Sequence, residues 1–189
     1  MSHLVKKHDL DFQQRSGVML MFRTARELQQ AQQMMELLGE FGSKHELLEP
    51  DTARALEPAL SAATAFHSAL HIPDDLAGNC PLFVRQIKTL AQNLGVEFHF
   101  NQEVQAIRPE LGGVSFQIDG RIVDVDALVV AAGSESAKLL KPAGVHLPIY
   151  PVKVYSASTS IQEYELAPQT AIFDDTYRVS LTRLGKRLR

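Results

Sequence analysis

Eleven glycines are spread over 189 residues, and none of them falls into a G-x-G-x-x-G run. The glycine-rich loop that follows a first strand and receives a dinucleotide is therefore not found. The one cysteine, Cys80, excludes an intrachain disulfide and fits a reducing compartment, so a cytoplasmic location is expected. No uninterrupted apolar run approaches the roughly 18 residues of a membrane span. The first twelve residues, "MSHLVKKHDLDF", carry charges around no apolar core, and the expectation is that they are not a signal peptide. A net charge of −3 leaves no concentrated basic surface, so no nucleic-acid partner is expected. Internal repeats and low-complexity tracts are lacking too.

What is present is a globular pattern, 45% apolar. "GVMLMF" (17–22) reads as a strand. Thr24 with Glu27 three residues on forms a capping box that starts a helix. Leu28, Ala31, Met35 and Leu38 share one face of it, and Gly39 and Gly42 are stop signals. A short helix follows, with Asp51 as N-cap and Pro58 as its end. "AFHSALHI" (65–72) reads as a strand and "PDDLAGN" (73–79) as a polar turn. "PLFVRQIKTLAQNLG" (81–95) is a helix with Phe83, Ile87, Leu90, Ala91 and Leu94 along one side and Gly95 as its cap. Strands are expected at 96–100 and 104–108, and 114–125 is a hairpin turning at Asp119-Gly120. Further strands are expected at 152–158, 170–173 and 176–183, and "GKRLR" reads as a hairpin turn entering another strand.

The chemistry-bearing stretch is "DALVVAAGSES" (126–136). Its apolar run, 127–131, reads as a fully buried strand that stops at a small-residue turn and a short helix from Ser134. Such a turn lets backbone approach a nucleotide; an ordinary helix cap would look the same. Other groupings carry less. Asp74 and Asp75 are adjacent carboxylates whose side chains point apart on an extended loop. His67 and His71 share a strand face but lie too far apart to chelate a metal without a third ligand, and no metal site is expected. Cys80 has no histidine partner in sequence.

Six stretches together resemble the FAD-dependent oxidoreductases of the D-amino-acid oxidase superfamily, and within it the D-amino-acid dehydrogenases. They are "DFQQRSGVMLMFRT" (11–24), "PDDLAGNCPLF" (73–83), "LGVEFHFNQEV" (94–104), "VVAAGSES" (129–136), "LLKPAGVHLPIYPVKVYS" (139–156) and "DDTYRVSLTRLGKRLR" (174–189). The resemblance implies a mixed α/β (α+β) fold belonging to a two-domain flavoenzyme. Residues 1–70 would be a substrate-domain portion with a preceding linker. Residues 71–148 would be a Rossmann-like FAD-domain portion, and 149–189 a mixed-sheet substrate-domain portion, truncated. It implies FAD as cofactor, with Val104, Ala132 and Gly133 as its contacts. It implies an amino-acid substrate read by Arg183 and Tyr155, an electron acceptor of unspecified kind, and a peripheral association with the inner membrane. No side chain is needed as a catalytic base: hydride leaves the substrate α-carbon, and water hydrolyses the imine to a 2-oxo acid and ammonia. Two positions depart from the family pattern. Val154 stands where a glycine precedes the matched tyrosine, and Asn79 where an aspartate is frequent.

The resemblance also implies flavin-binding segments on both sides of this stretch, so the chain reads as an internal piece, inactive alone. Two other readings stand beside the deaminating one. A glycine- or sarcosine-oxidase-like enzyme would share its fold and cofactor. A non-catalytic α/β interaction module would need no glycine fingerprint, and a glycine-rich region upstream in frame would favour the enzyme. The purified 189-residue chain should retain no stoichiometric flavin after desalting, because the pyrophosphate-binding loop is not in it. A visible spectrum decides this, and a full flavin absorbance would overturn it.

Overall fold

The computed structural model describes residues 2–163 and 166–189. The chain runs through α1 (Ser2–His8), β1 (Arg15–Phe22), α2 (Ala25–Glu40), β2 (Glu46–Leu48), α3 (Pro50–Leu56), β3 (Ser68–Ala77) and α4 (Cys80–Asn93). It continues through β4 (Val104–Glu110), β5 (Gly113–Ile118), β6 (Arg121–Val125), α5 (Glu135–Leu140) and a 3-10 turn at Lys141–Ala143. It ends with β7 (Thr159–Ser160), β8 (Ala171–Asp174), β9 (Val179–Leu181), β10 (Arg183–Leu184) and β11 (Arg187–Leu188). These elements form two compact units, one from Met1–Asn93 with Ser156–Arg189, the other from Leu94–Tyr155. The boundaries between these packing units fall after 93 and 155.

The first unit is built on a five-stranded sheet, β2-β3-β1-β8-β9. β1 pairs antiparallel with β3 and parallel with β8, which makes the sheet mixed. β1 is apolar from Val18 to Phe22, where both of its faces are covered. Met19 and Met21 join Leu48, Ala53, Leu60, Phe66, Ala69 and Ile172 in one core cluster. Phe22, Leu70 and Ile72 form the other, and Leu28, Ala31, Met35 and Leu38 of α2 pack on it. That is the helix face expected from spacing. The capping box is present at Thr24 and Glu27. The Thr176 hydroxyl and the amides of Arg23 and Thr24 hold the Glu27 carboxyl below the usual carboxylate range. Gly42, not Gly39, stops α2. Its φ is +68°, and Gly42 and Ser43 donate to the carbonyls of Gly39 and Leu38 in a Schellman arrangement.

Three expectations differ. Pro50 is the first residue of α3 and Glu49 precedes it as N-cap, so Asp51 lies inside the helix; proline favours that position because its missing N–H is not needed there. Residues 73–77 belong to β3 rather than to a turn. The ladder shifts between Ser16 and Val18, where Gly17 holds a φ of +92° and Pro73–Asp75 pass without a register partner. Proline is tolerated at such a bulge because no ladder bond is asked of it. Residues 152–158 form no strand, and Val152, Val154 and Tyr155 are exposed.

The clasp of the first unit is Glu57, fully buried just after α3. Its Oε2 accepts from the Thr170 hydroxyl and from the amides of Thr170 and Gln169, at 2.9, 2.7 and 2.8 Å. Its Oε1 accepts from the Ala59 amide. This ties α3 to the segment that leads into β8.

The second unit holds the three-stranded sheet β4-β5-β6. β5 and β6 are the expected hairpin, with Asp119 and Gly120 at φ +48° and +78°, as a two-residue primed turn needs.

Glu57→Ala should lower the unfolding free energy by about 2–3 kcal/mol, since several buried donors lose a charged acceptor. Glu57→Gln, which keeps an acceptor, should cost less. Urea unfolding of the 189-residue chain measures both. A change within about 0.5 kcal/mol, the range of ordinary surface substitutions, would show the clasp to be idle.

Candidate functional site

In the second unit the main concavity has a volume of about 700 Å3. One wall is residues 102–107, containing the start of β4; another is residues 128–132; Glu135, Lys138 and Leu139 of α5 and Pro142 complete it. Val104 and Ala132, 28 positions apart in sequence (132 − 104), therefore line one space. Val104 is held by its pairing with Ile118. The β4 register then shifts between Gln105 and Arg108, and Ala106 takes a φ of +50°. That is uncommon for a residue with a side chain, and it marks a bulge facing the concavity.

Residues 127–131 form no ladder among the described residues, and Val129 is 89% exposed. The expected buried strand is corrected here. Its apolar, branched composition suits a strand with neighbours on both sides, and the described residues offer it none. Residues 96–100 likewise form no strand among the described residues, and Phe98 stacks on Phe100 with ring centres 5.8 Å apart.

The turn after this run is ordered by local hydrogen bonds. The Ala132 amide donates to Ser136 Oγ at 3.0 Å, and the amides of Glu135 and Ser136 donate to the carbonyls of Ala132 and Gly133. Gly133 has a φ of +57°, and a Cβ there would meet nothing within 4 Å. The backbone at 132–133 is thus bare and approachable from outside, which is what a bulky flat ligand requires. Ser136 is buried, and nothing in the sequence pattern marks it. Lys138 and Glu135 make an exposed ion pair at 3.8 Å on the rim. The concavity is apolar along 128–132 and edged by Gln102, Glu103 and Gln105 on one wall and by Glu135 and Lys138 on another, so a flat ligand could lie against its exposed backbone.

The substrate-side residues lie elsewhere. Arg183 is in β10 of the first unit, half-buried, with its Nε 3.5 Å from the Gly185 carbonyl. Tyr155 is at the end of the second unit, 84% exposed, with the Lys153 ammonium 5.7 Å from its ring centre. The two belong to different units. Asn79 caps α4: its Oδ1 accepts from the Leu82 amide, and its Nδ2 donates to Gln13 Oε1 at 2.9 Å. An aspartate could keep the cap but not the second bond, and that gives the departure at position 79 a structural partner. Asp74 pairs with Lys44 at 3.5 Å on the surface.

The chain matches the family described as DAO, FAD dependent oxidoreductase, over residues 1–189. It is 38% identical to the D-amino acid dehydrogenase of Vibrio cholerae serotype O1, a match covering 98% of this chain and 45% of that protein. The chain thus spans a little under half the length of these curated relatives. Among solved structures, glycine oxidase from Geobacillus kaustophilus superposes with a TM-score of 0.78 at 22% identity, over 99% of this chain and 50% of that one. Glycine oxidase from Bacillus cereus gives 0.77 at 25%, over 99% and 51%. L-proline dehydrogenase from P. horikoshii gives 0.77 at 14%, over 99% and 50%.

Ser136→Ala should destabilise the second unit by about 1 kcal/mol and speed hydrogen exchange at the Ala132 amide, which loses its acceptor. Exchange followed by NMR checks it; an unchanged rate at Ala132 would mean that the turn holds without the hydroxyl. With the mixed sheet, the small-residue turn and the full-length match together, this chain belongs to the DAO family of FAD-dependent oxidoreductases.

Proposed function

We propose that the chain is part of an FAD-dependent enzyme that oxidatively deaminates D-amino acids to 2-oxo acids and ammonia. The observation that carries this is the 38% identity, along almost the whole chain, to a D-amino acid dehydrogenase. The likeness to glycine oxidases supports the same fold and keeps a glycine- or sarcosine-type amine substrate as the second reading.

Val104 and Ala132, which line the concavity, and Gly133, next to Ala132 but outside that lining, would hold FAD through backbone approach, with Ser136 fixing the turn. When bound, FAD supplies the acceptor for the hydride on the substrate α-carbon. Arg183 would bind the substrate carboxylate, because a planar guanidinium offers paired donors that match two carboxylate oxygens. That contact orients the α-carbon. Tyr155 is the second residue that the family likeness assigns to the substrate, and its phenol could donate a hydrogen bond. Val154, branched where the family carries glycine, would narrow the space beside it. An external electron acceptor and a peripheral membrane contact follow from the family likeness. Among the described residues, no helix is long and apolar enough to cross a membrane.

In the full-length enzyme, Arg183→Leu should lower kcat/KM by about 10- to 100-fold, as the loss of a charge-assisted hydrogen bond requires. Flavin content should stay unchanged. The preference for a D-amino acid over its amide should shrink, since the carboxylate is no longer read. Steady-state kinetics on both compounds, with flavin measured in parallel, check this. Full turnover with the acid preference intact would remove Arg183 from the site.

A further inference from the structure

A second cleft lies wholly within the first unit, about 430 Å3 in volume. Its wall includes Gln13, Asn79, Arg85, Ser158, Arg187 and Arg189. Arg85 comes from α4, and Arg187 and Arg189 are alternate residues along β11 and its end, which places them on one face. Leu184, the cross-strand partner of Arg187, lines the cleft as well. Arg183, next to Leu184 on β10, therefore belongs to the opposite face of that hairpin. The cleft is distinct from the position assigned to the substrate carboxylate.

The charged side chains that line it are of one sign. Among the described residues, none of Arg85, Arg187 and Arg189 makes an ion pair, and no carboxylate side chain lines the space. Arg189 donates to the Ser156 hydroxyl. The polar wall is also held in place. The Gln13 amide donates to Asp11 Oδ1, which fixes Gln13 at a φ of +59°. Its carboxamide accepts from Asn79 and lies so close to Gly185 that a Cβ there would come within 2.8 Å of Gln13 Nε2. Arg85, Arg187 and Arg189 are exposed; guanidinium groups that share one cleft wall without acidic side chains repel one another, and a bound anion relieves that repulsion while accepting forked hydrogen bonds.

We propose that this cleft binds a small polyanion of the phosphate type, independently of the flavin reading. A single carboxylate would leave most of the charge uncompensated, whereas a diphosphate offers several oxygens to the guanidinium groups. A cation or an apolar ligand finds no match there.

Isothermal titration of the 189-residue chain at low ionic strength, with inorganic pyrophosphate, orthophosphate and acetate in turn, tests this. Pyrophosphate should bind saturably with a Kd below about 1 mM. Orthophosphate should bind more weakly, and acetate should show no saturation. The double substitution Arg85→Gln with Arg187→Gln should weaken pyrophosphate binding by at least about 10-fold, which is 1.4 kcal/mol. Arg121→Gln, an exposed arginine of β6 in the other unit, should leave it unchanged. Absence of saturable pyrophosphate binding to the unsubstituted chain overturns the proposal, whatever the variants do. So does acetate binding as tightly as pyrophosphate, or an equal loss in Arg121→Gln.

Discussion

The parallel pairing of β1 with β8 is the constraint on which the first unit rests. Val18 meets Ala171 and Met21 meets Asp174, so strands from opposite ends of the sequence must lie side by side. Closing so long a loop costs conformational entropy, although that cost grows only slowly with length. Two polar contacts hold the returning segment. Glu57 gathers the amides just ahead of β8, and Arg23, at the end of β1, meets the Asp174 carboxylate through its Nε and Nη2 at 2.9 and 2.8 Å. Arg23 also lies over the Tyr177 ring, 4.8 Å from its centre. Between these clamps, β1 buries methionines on one face and Phe22 on the other. The Glu57 carboxyl is met by backbone amides and a hydroxyl rather than by a cation.

Local rules made much of this legible. The capping box at Thr24, the apolar stripe of α2 and the hairpin at Asp119-Gly120 each follow from residues within one turn of chain, and each is present. What escaped depends on distant partners. Pro73 looks like a turn residue until Gly17, far away in sequence, provides the bulge opposite it. The runs 96–100 and 127–131 have strand composition, but a strand exists only where another accepts its hydrogen bonds. Apolar periodicity states what a segment would pair with if offered a neighbour. It does not state whether the neighbour is there.

The site divides in the same manner. Val104 and Ala132 were placed through the family likeness, and the fold brings them to one concavity. The bulge at Ala106 and the hydroxyl of Ser136 were not readable, because a left-handed alanine and a buried serine leave no mark on spacing. Arg183 and Tyr155 lie in separate units, so the substrate roles proposed for them rest on the family likeness and not on a contact within either unit. Asn79 shows how a departure from a family pattern acquires meaning. Its amide nitrogen reaches Gln13, and Gln13 in turn crowds Gly185 in the hairpin that carries Arg183.

The chain order of the first sheet has a consequence for the ribosome. β1, β2 and β3 emerge early and can pair at once, but β8 is made only after the whole of the second unit has been synthesised. At a translation rate of about 5–20 residues per second, the nascent sheet spends several seconds with one edge of β1 unsatisfied. During that interval the strand offers an apolar ladder of free amides and carbonyls to any passing strand. A chaperone that shields this edge until Ala171–Asp174 arrives would protect the one seam that local sequence cannot close by itself.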